Sequence, residues 1–141
     1  MKAERKDAAR LADLVKLIWS GDTEQLTRVI EGYIASDHAA VFAQTADNIF
    51  VGAAVCSLRH DYVEGCETSP VGYLEGISVK EAYRHRGIAK SLLEECEQWA
   101  REKGCREFAS DCELTNTDSL HFHRSIGFHE ANRIICFTKK L

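Results

Sequence analysis

The sequence contains no apolar segment long enough to cross a membrane. None of its uncharged runs approaches the roughly 18 apolar residues that a bilayer span needs. The N-terminal residues Met1–Asp7 are charged, and no apolar stretch of the kind found in export signals follows them. We therefore expect no membrane association and no signal peptide, and we expect the protein to reside in the cytoplasm.

Positive charge is also scarce. The 18 Lys and Arg residues are outnumbered by 22 Asp and Glu residues, which gives a formal net charge of −4. Proteins that bind nucleic acid are usually basic, so we expect no nucleic-acid partner.

Paired ligand and disulfide motifs are missing as well. The chain has 6 Cys and 6 His but no C-x-x-C pair and no two pairs at metal-binding spacing. We therefore expect no metal site. At least four cysteines lie in apolar surroundings, so we interpret the set as reduced, mostly buried thiols. They are Cys56, Cys66, Cys96, Cys105, Cys112 and Cys136.

Residues that interrupt secondary structure or separate domains are few. Pro70 is the only proline, and no Gly/Ser-rich linker or internal repeat interrupts the sequence. Of the 141 residues, 45% are hydrophobic and 28% are charged, so residues 1–141 are predicted to form a single domain.

Hydrophobic periodicity predicts an α/β fold. Apolar residues at helical spacing indicate helices, and short apolar runs bounded by turn residues indicate strands. The predicted elements are helices 7–18 and 22–36, strands 39–44, 49–57 and 71–79, helix 87–103, strand 105–110, helix 116–125 and strand 134–138. Strands that alternate with crossover helices form a mixed sheet flanked by helices.

The stretch from Leu74 to Ala89 carries the clearest chemical signal. An apolar strand leads into a basic turn, Arg84-His85-Arg86, and then into Gly87 at a helix start. The first N–H groups of a helix have no partner within the helix, and glycine lets a phosphate approach them. Basic side chains are unfavourable at this end of the helix dipole, so a bound anion explains them better than an ordinary surface helix does.

Acidic segments flank this basic turn. Residues 61–81 contain five acidic residues and one basic residue, and residues 107–118 contain four acidic residues and no basic one. Most of them fit solvated loop charge, but Glu75 and Asp111 follow apolar or small runs at strands, where a side chain could face a cleft. An acidic site beside a cationic one suits a polycationic amine and an anionic donor.

A family resemblance rests on these residues. Arg84-x-x-Gly87-x-Ala89 after an apolar strand matches the (Q/R)-x-x-G-x-(G/A) signature of the GCN5-related N-acetyltransferases. With it come the strings Arg59–Tyr62, Thr68–Val71, Leu74–Ile77 and Ala109–Asp111, then Asn116, and His123 before Gly127-Phe128. From about Trp19 onward the sequence resembles the short aminoglycoside 6'-N-acetyltransferases of Gram-negative bacteria. That resemblance implies a mixed, mostly antiparallel twisted sheet with a splayed central strand pair and flanking helices.

The resemblance also implies roles for individual residues. The strand before the signature binds the pantetheine arm of acetyl-CoA, the signature holds the pyrophosphate, and the Ile77 N–H is a candidate oxyanion donor. The implied cofactor residues are Ile77, Ser78, Val79, Arg84, His85, Arg86, Gly87, Ile88, Ala89, Asn116 and His123. The implied acceptor residues are Trp19, Tyr62, Glu75 and Asp111.

The implied reaction is direct attack of an aminoglycoside 6'-amine on the thioester of acetyl-CoA, which gives antibiotic resistance. A carboxylate must accept a proton from the bound ammonium, and we favour Glu75 over Asp111 as this base. His123 stands where many members of the superfamily have a tyrosine as general acid. It could donate a proton, bond the cofactor or simply lie on a helix face. Relatives often have an acidic residue where Asn132 stands.

Two other functions stay open at this point. One is an acetyltransferase for another polyamine or small amine, and the other is a catalytically silent acyl-CoA-binding module. Because dimers are common in the resembled family, we also expect a homodimer, with the apolar segment 134–137 as a possible edge.

Overall fold

The computed structural model describes residues 1–141 as helices packed on a four-stranded sheet. The helices are α1 (Ala8–Val15), α2 (Thr23–Ala35), α3 (Ile88–Glu102) and α4 (Thr117–Ser125), and the strands are β1 (Ala39–Ala46), β2 (Ile49–Arg59), β3 (Val71–Val79) and β4 (Phe108–Ser110). Single 3-10 turns precede α1 and follow β3. The predicted order of elements is confirmed up to α4.

A tight hairpin joins β1 and β2. Asp47 and Asn48 at its tip both have positive φ, 50° and 62°. Two such residues are typical of the turn that matches the twist of paired strands. The β2 strand runs two residues further than predicted, which places Arg59 opposite Val71 of β3.

The sheet is mixed, in the order β1-β2-β3-β4. The first two strand pairs are antiparallel, and β3 pairs with β4 in parallel. This last pairing ends at Leu74 and Ser110, whereas β3 continues to Val79. The sheet therefore opens into a split beyond Leu74, which confirms the predicted fold with a splayed strand pair.

Apolar clusters cover both faces of the sheet. On one face, α3 packs Leu92, Leu93, Cys96 and Trp99 against the strands. On the other face, α1 and α2 pack their buried side chains against β1 and β2. The Ser78 hydroxyl donates to the Leu14 carbonyl at 2.9 Å and so ties α1 to β3 beside the split.

Neither end of the chain forms a full strand. At the N-terminus, where no strand is predicted, Lys2 makes a single bridge to Phe42. The predicted last strand 134–138 is wrong for the isolated chain, because residues 128–141 belong to no helix or strand. Their apolar side chains are exposed, Ile135 by 80% and Phe137 by 91%. A strand needs a partner edge, and this segment pairs with none here.

All six cysteines are free, as the interpretation of reduced thiols requires. Burial is less uniform than predicted, since three are buried, two are half-buried and Cys136 is exposed. None of the helices is long and apolar enough to cross a membrane.

Candidate functional site

Glu75 lies on a bulge of β3 at the mouth of the split. In the ladder with β2, Gly76 faces Val55 and Leu74 faces Cys56, so Glu75 is the extra residue. A bulge bends its strand and redirects a side chain, and bulges are frequent beside active sites. The Glu75 carboxylate accepts a hydrogen bond from the Ser57 hydroxyl of β2 and is half-buried.

Arg59 is paired with this carboxylate. Its Nη2 lies 3.0 Å from Oε2 and 3.2 Å from Oε1 of Glu75. Its Cζ also lies 3.4 Å from the centre of the Tyr73 ring. Burial works against the charge of Arg59, but the Glu75 carboxylate, helped by Tyr73 and Asp111, raises the pKa of Arg59 above its ordinary value. The Arg59 guanidinium is therefore always protonated and brings a positive charge into the acidic cluster.

Tyr73 connects the two predicted carboxylates. Its hydroxyl donates to Oδ2 of Asp111, which follows β4 directly. Burial and the Asp111 carboxylate raise the pKa of Tyr73, so the phenol stays protonated and serves as a donor. Glu75 and Asp111 thus belong to one cluster, joined through Arg59 and Tyr73.

An aromatic wall lies beside the cluster. Trp19 is half-buried and stacks on Tyr33 of α2, with ring centres 5.9 Å apart. The Trp19 side chain comes close to β3 because residue 76 is a glycine. A Cβ at Gly76 would lie 2.8 Å from Ile18 and 3.3 Å from Trp19. Burial and the Glu75 charge raise the pKa of Tyr33.

Tyr62 is not part of this wall. It lies in the loop between β2 and β3 and is 78% exposed. The far end of that loop is held by Glu107, whose carboxylate accepts the Thr68 N–H at 2.7 Å. Near its middle, Asn132 donates to Glu64 at 2.8 Å, so the Asn132 amide is engaged by this loop.

The split exposes backbone donors of β3. The Lys80 N–H donates to the Val51 carbonyl of β2 at 2.8 Å. N–H groups alternate sides along a strand, so those of Ile77 and Val79 point away from β2, where β4 has diverged. Ser78 can take part only through its backbone, because its hydroxyl is bonded to α1.

The basic turn Arg84–Gly87 lies between the 3-10 turn that follows β3 and the start of α3. His85 and Gly87 both have positive φ, 60° and 79°. A turn with residues in this region gathers its N–H groups into an anion-binding concavity. A Cβ at Gly87 would meet no other protein atom within 4 Å, so within the chain itself the positive φ is what favours glycine.

The signature side chains divide between surface and core. Arg84, His85 and Arg86 are exposed, although Arg84 Nε donates to the Val79 carbonyl at 3.1 Å and Arg86 lies over the Tyr83 ring. Ile88 is buried in the α3 core, so only its backbone faces the turn. The neighbouring Ala89 is half-buried.

Asn116 and His123 are engaged within the chain. The Asn116 amide oxygen caps α4 by accepting the Ser119 N–H at 3.1 Å. His123 Nδ1 lies 2.7 Å from the Ser119 carbonyl, and its Nε2 lies 2.8 Å from the hydroxyl of Ser110, the last residue of β4. A carbonyl can only accept, so Nδ1 carries the proton. The Ser110 hydroxyl therefore lies between the His123 ring and the mouth of the split.

Comparison with known proteins identifies the family. Residues 9–128 match the acetyltransferase (GNAT) family model. An aminoglycoside N(6')-acetyltransferase type 1 from Salmonella typhimurium is 42% identical over 129 residues, which cover 90% of this chain and 88% of the relative. The chain belongs to the acetyltransferase (GNAT) family, among its aminoglycoside N(6')-acetyltransferases.

Solved structures of this family share the fold. The apo 6'-N-acetyltransferase AAC(6')-IG from Acinetobacter haemolyticus has a TM-score of 0.95 at 35% identity, covering 100% of this chain and 97% of its own. AAC(6')-Iy, solved with the bisubstrate analogue CoA-S-monomethyl-acetylneamine, has a TM-score of 0.94 at 38% identity with the same coverage.

Four residues of this candidate site were not singled out from the sequence. Ser57 and Tyr73 bond the two carboxylates, Tyr33 stacks on Trp19, and Arg59 was noted only as part of a family string. The pairing of β2 with β3 would have revealed three of them. Arg59, Ser57, Tyr73 and Glu75 all lie toward the ends where these two strands meet the loop.

Proposed function

We propose that this enzyme transfers the acetyl group of acetyl-CoA to the 6'-amine of aminoglycosides and thereby gives antibiotic resistance. The observation that carries the proposal is the position of the Glu75–Arg59–Tyr73–Asp111 cluster at the mouth of the split, with the basic turn at the other end of β3. A cationic acceptor and an anionic donor would then meet at the strand between them. AAC(6')-Iy has been solved with a bisubstrate analogue that joins CoA to acetylneamine, which supports a reaction between these two types of substrate.

On the acceptor side, Glu75 is the general base. An amine arrives largely protonated at neutral pH and must lose a proton before it can attack. Glu75 lies on the bulge nearest to the free N–H groups of β3, whereas Asp111 is exposed and bonded to Tyr73. Asp111 therefore acts as counter-charge for neighbouring ammonium groups, and Trp19 gives the sugar an aromatic face.

On the donor side, acetyl-CoA supplies an acetyl group activated as a thioester. The unpaired N–H groups of Ile77 and Val79 fit the amide-rich pantetheine arm, which runs along β3 as a substitute for the diverged β4. The turn from Arg84 to Ala89 fits the pyrophosphate, because its positive-φ residues gather N–H groups and its basic side chains are exposed.

At the junction, the chain positions the groups and stabilises charge. The Ile77 N–H donates to the acetyl oxygen as negative charge develops on it. The Ser110 hydroxyl, which bonds His123 Nε2 and the Leu74 carbonyl, holds His123 at this junction. Holding the amine against the thioester supplies most of the acceleration.

A matched pair of acceptors tests this function. Release of free thiol from acetyl-CoA should occur with an aminoglycoside that carries a 6'-amine and should be absent with its 6'-hydroxyl analogue. Equal turnover with both would reject the 6' position. Turnover only with simple polyamines would favour the polyamine alternative, and CoA binding without turnover would favour the silent module.

We also propose a homodimer assembled through the C-terminal segment. Residues 129–141 are all exposed, and three of them are large apolar residues in four positions, Ile134, Ile135 and Phe137. The β4 strand pairs only with β3 and leaves its other edge open. An apolar segment and an open edge on the same chain can satisfy each other in a second copy.

The double substitution Ile135→Glu and Phe137→Glu should convert the dimer into a monomer. In sedimentation velocity the unchanged chain should have about twice the mass of 15.8 kDa, and the variant the single mass. Ile49→Glu, at an exposed apolar residue near the β1–β2 turn, is the control and should stay dimeric. A monomeric unchanged chain would contradict the proposal.

The cytoplasm is the compartment that suits this chemistry. Acetyl-CoA is a donor available inside the cell, and free thiols persist in a reducing environment.

A further inference from the structure

Arg59 occupies a position in the acidic cluster that an ammonium group of a cationic acceptor would also occupy. Its guanidinium contacts both oxygens of Glu75 and lies over the ring of Tyr73, whose hydroxyl bonds Asp111. A single internal cation thus sits between the two carboxylates that a polycationic acceptor would use.

These contacts are the ones an acceptor ammonium would seek. Ammonium and guanidinium groups are both bound by carboxylates and by the faces of aromatic rings. Two cations cannot share this space at low cost, because like charges in contact repel. Either Arg59 leaves when the acceptor binds, or the acceptor does not reach Glu75.

We propose that Arg59 is a displaceable internal cation, which fills the acceptor ammonium site in the free enzyme and swings out when the acceptor binds. This inference rests on the proposed function in that it takes a cationic amine as the acceptor. It makes Arg59 a specificity-determining residue, because an acceptor must outcompete a guanidinium before it can be acetylated.

The position of Arg59 allows this movement. It is the last residue of β2, and the loop that follows has no helix or strand until Val71. Its side chain is 42% exposed, against 18% for Glu75. The arginine can therefore turn toward solvent without unpacking the core, while Glu75 stays in place on the bulge.

The expected effect is modest and has a definite sign. Partly exposed ion pairs favour the closed over the open arrangement only by about two- to fivefold. The open form is then about one third to one sixth of the population, and an acceptor that binds only this form loses affinity by about three- to sixfold. Arg59→Ala should therefore tighten the binding of neamine, measured by calorimetry without acetyl-CoA, by about three- to sixfold.

The opposite role for Arg59 makes the opposite prediction. If Arg59 were a fixed support that orients Glu75, its removal would weaken neamine binding, and millimolar guanidinium chloride would restore it by filling the gap. If Arg59 is a displaceable occupant, guanidinium chloride should compete with neamine for the Arg59→Ala variant. It should weaken neamine binding more than sodium chloride does at the same concentration. Restoration by guanidinium would overturn the proposal.

Two variants keep the result interpretable. Arg10→Ala is the matched control, since Arg10 also lies over an aromatic ring, Phe50, and donates to a carbonyl, but on another part of the surface. It should bind neamine like the unchanged chain. Arg59→Gln removes the charge without leaving a cavity, and this variant should also bind neamine more tightly. Weaker binding in both Arg59 variants would overturn the proposal.

The binding measurement separates this inference from the proposed reaction. It needs no turnover, so failure of acetyl transfer to the 6'-amine would leave the affinity difference intact. Normal turnover with no gain in affinity at Arg59 would instead reject the displaceable cation and keep the enzyme.

Discussion

Glu75→Gln should lower kcat/KM for a 6'-amine acceptor by about 10²- to 10³-fold, mostly through kcat. The glutamine amide keeps the size of the side chain and can still accept the Ser57 hydrogen bond, but it cannot take up a proton. Free-thiol release at saturating acetyl-CoA measures the loss. Activity should recover partly as the pH rises toward the pKa of the amine, since a neutral acceptor no longer needs a base.

Glu97→Gln is the matched control for this substitution. Glu97 also pairs with an arginine at 3.0 Å, Arg101, but lies on α3 and outside the acidic cluster. Its loss should leave kcat/KM within about twofold, because an exposed ion pair on a helix contributes little.

Asp111→Asn separates the two carboxylates. As a counter-charge that does not accept the proton, Asp111 should affect the KM for the acceptor more than kcat. The assignment of the base would be reversed if Asp111→Asn abolished kcat while Glu75→Gln raised only KM.

The sequence predicted the strands and helices around this site better than the side-chain contacts within it. The strand Val71–Val79 was predicted to the residue, because a run of apolar residues between Pro70 and a basic turn is a local signal. The bulge that exposes Glu75 is not local, since it exists only in the register between β3 and β2. The family resemblance pointed to Glu75, but no pattern within the strand could show why its side chain leaves the ladder.

The contacts of Tyr73 and Arg59 depend on three strands at once. Tyr73 meets Asp111 through the parallel pairing with β4, and Arg59 meets Tyr73 through the antiparallel pairing with β2. Periodicity gives the face on which a side chain lies but not its partner across a strand pair. The prediction of a strand in the C-terminal segment was wrong for a related reason. Its apolar pattern predicts a strand, but a strand forms only where the edge of another strand is available for pairing.

Gly87→Ala should raise the KM for acetyl-CoA by about tenfold or more, because the backbone of the basic turn depends on a left-handed residue. Gly87 has a φ of 79°, and an alanine there costs about 1 kcal/mol or more while its Cβ meets no neighbour. The turn relieves that cost by rotating its N–H groups away from the pyrophosphate. The KM for the aminoglycoside should change little, since the acidic cluster lies at the other end of β3.

Gly104→Ala distinguishes a lost anion site from a general loss of stability. Gly104 follows α3 with a φ of 87° and equally open space around its Cβ, so alanine there has the same backbone cost. Both variants should lower the melting temperature by a similar amount, but only Gly87→Ala should weaken acetyl-CoA binding. An equal rise in the KM for acetyl-CoA in both variants would mean that the effect of Gly87→Ala comes from lost stability and not from a lost anion site. An unchanged KM in Gly87→Ala would place the pyrophosphate elsewhere. Since the two glycines flank the same helix, at its positive and negative ends, the comparison also tests whether the anion is bound at the positive end of the α3 dipole.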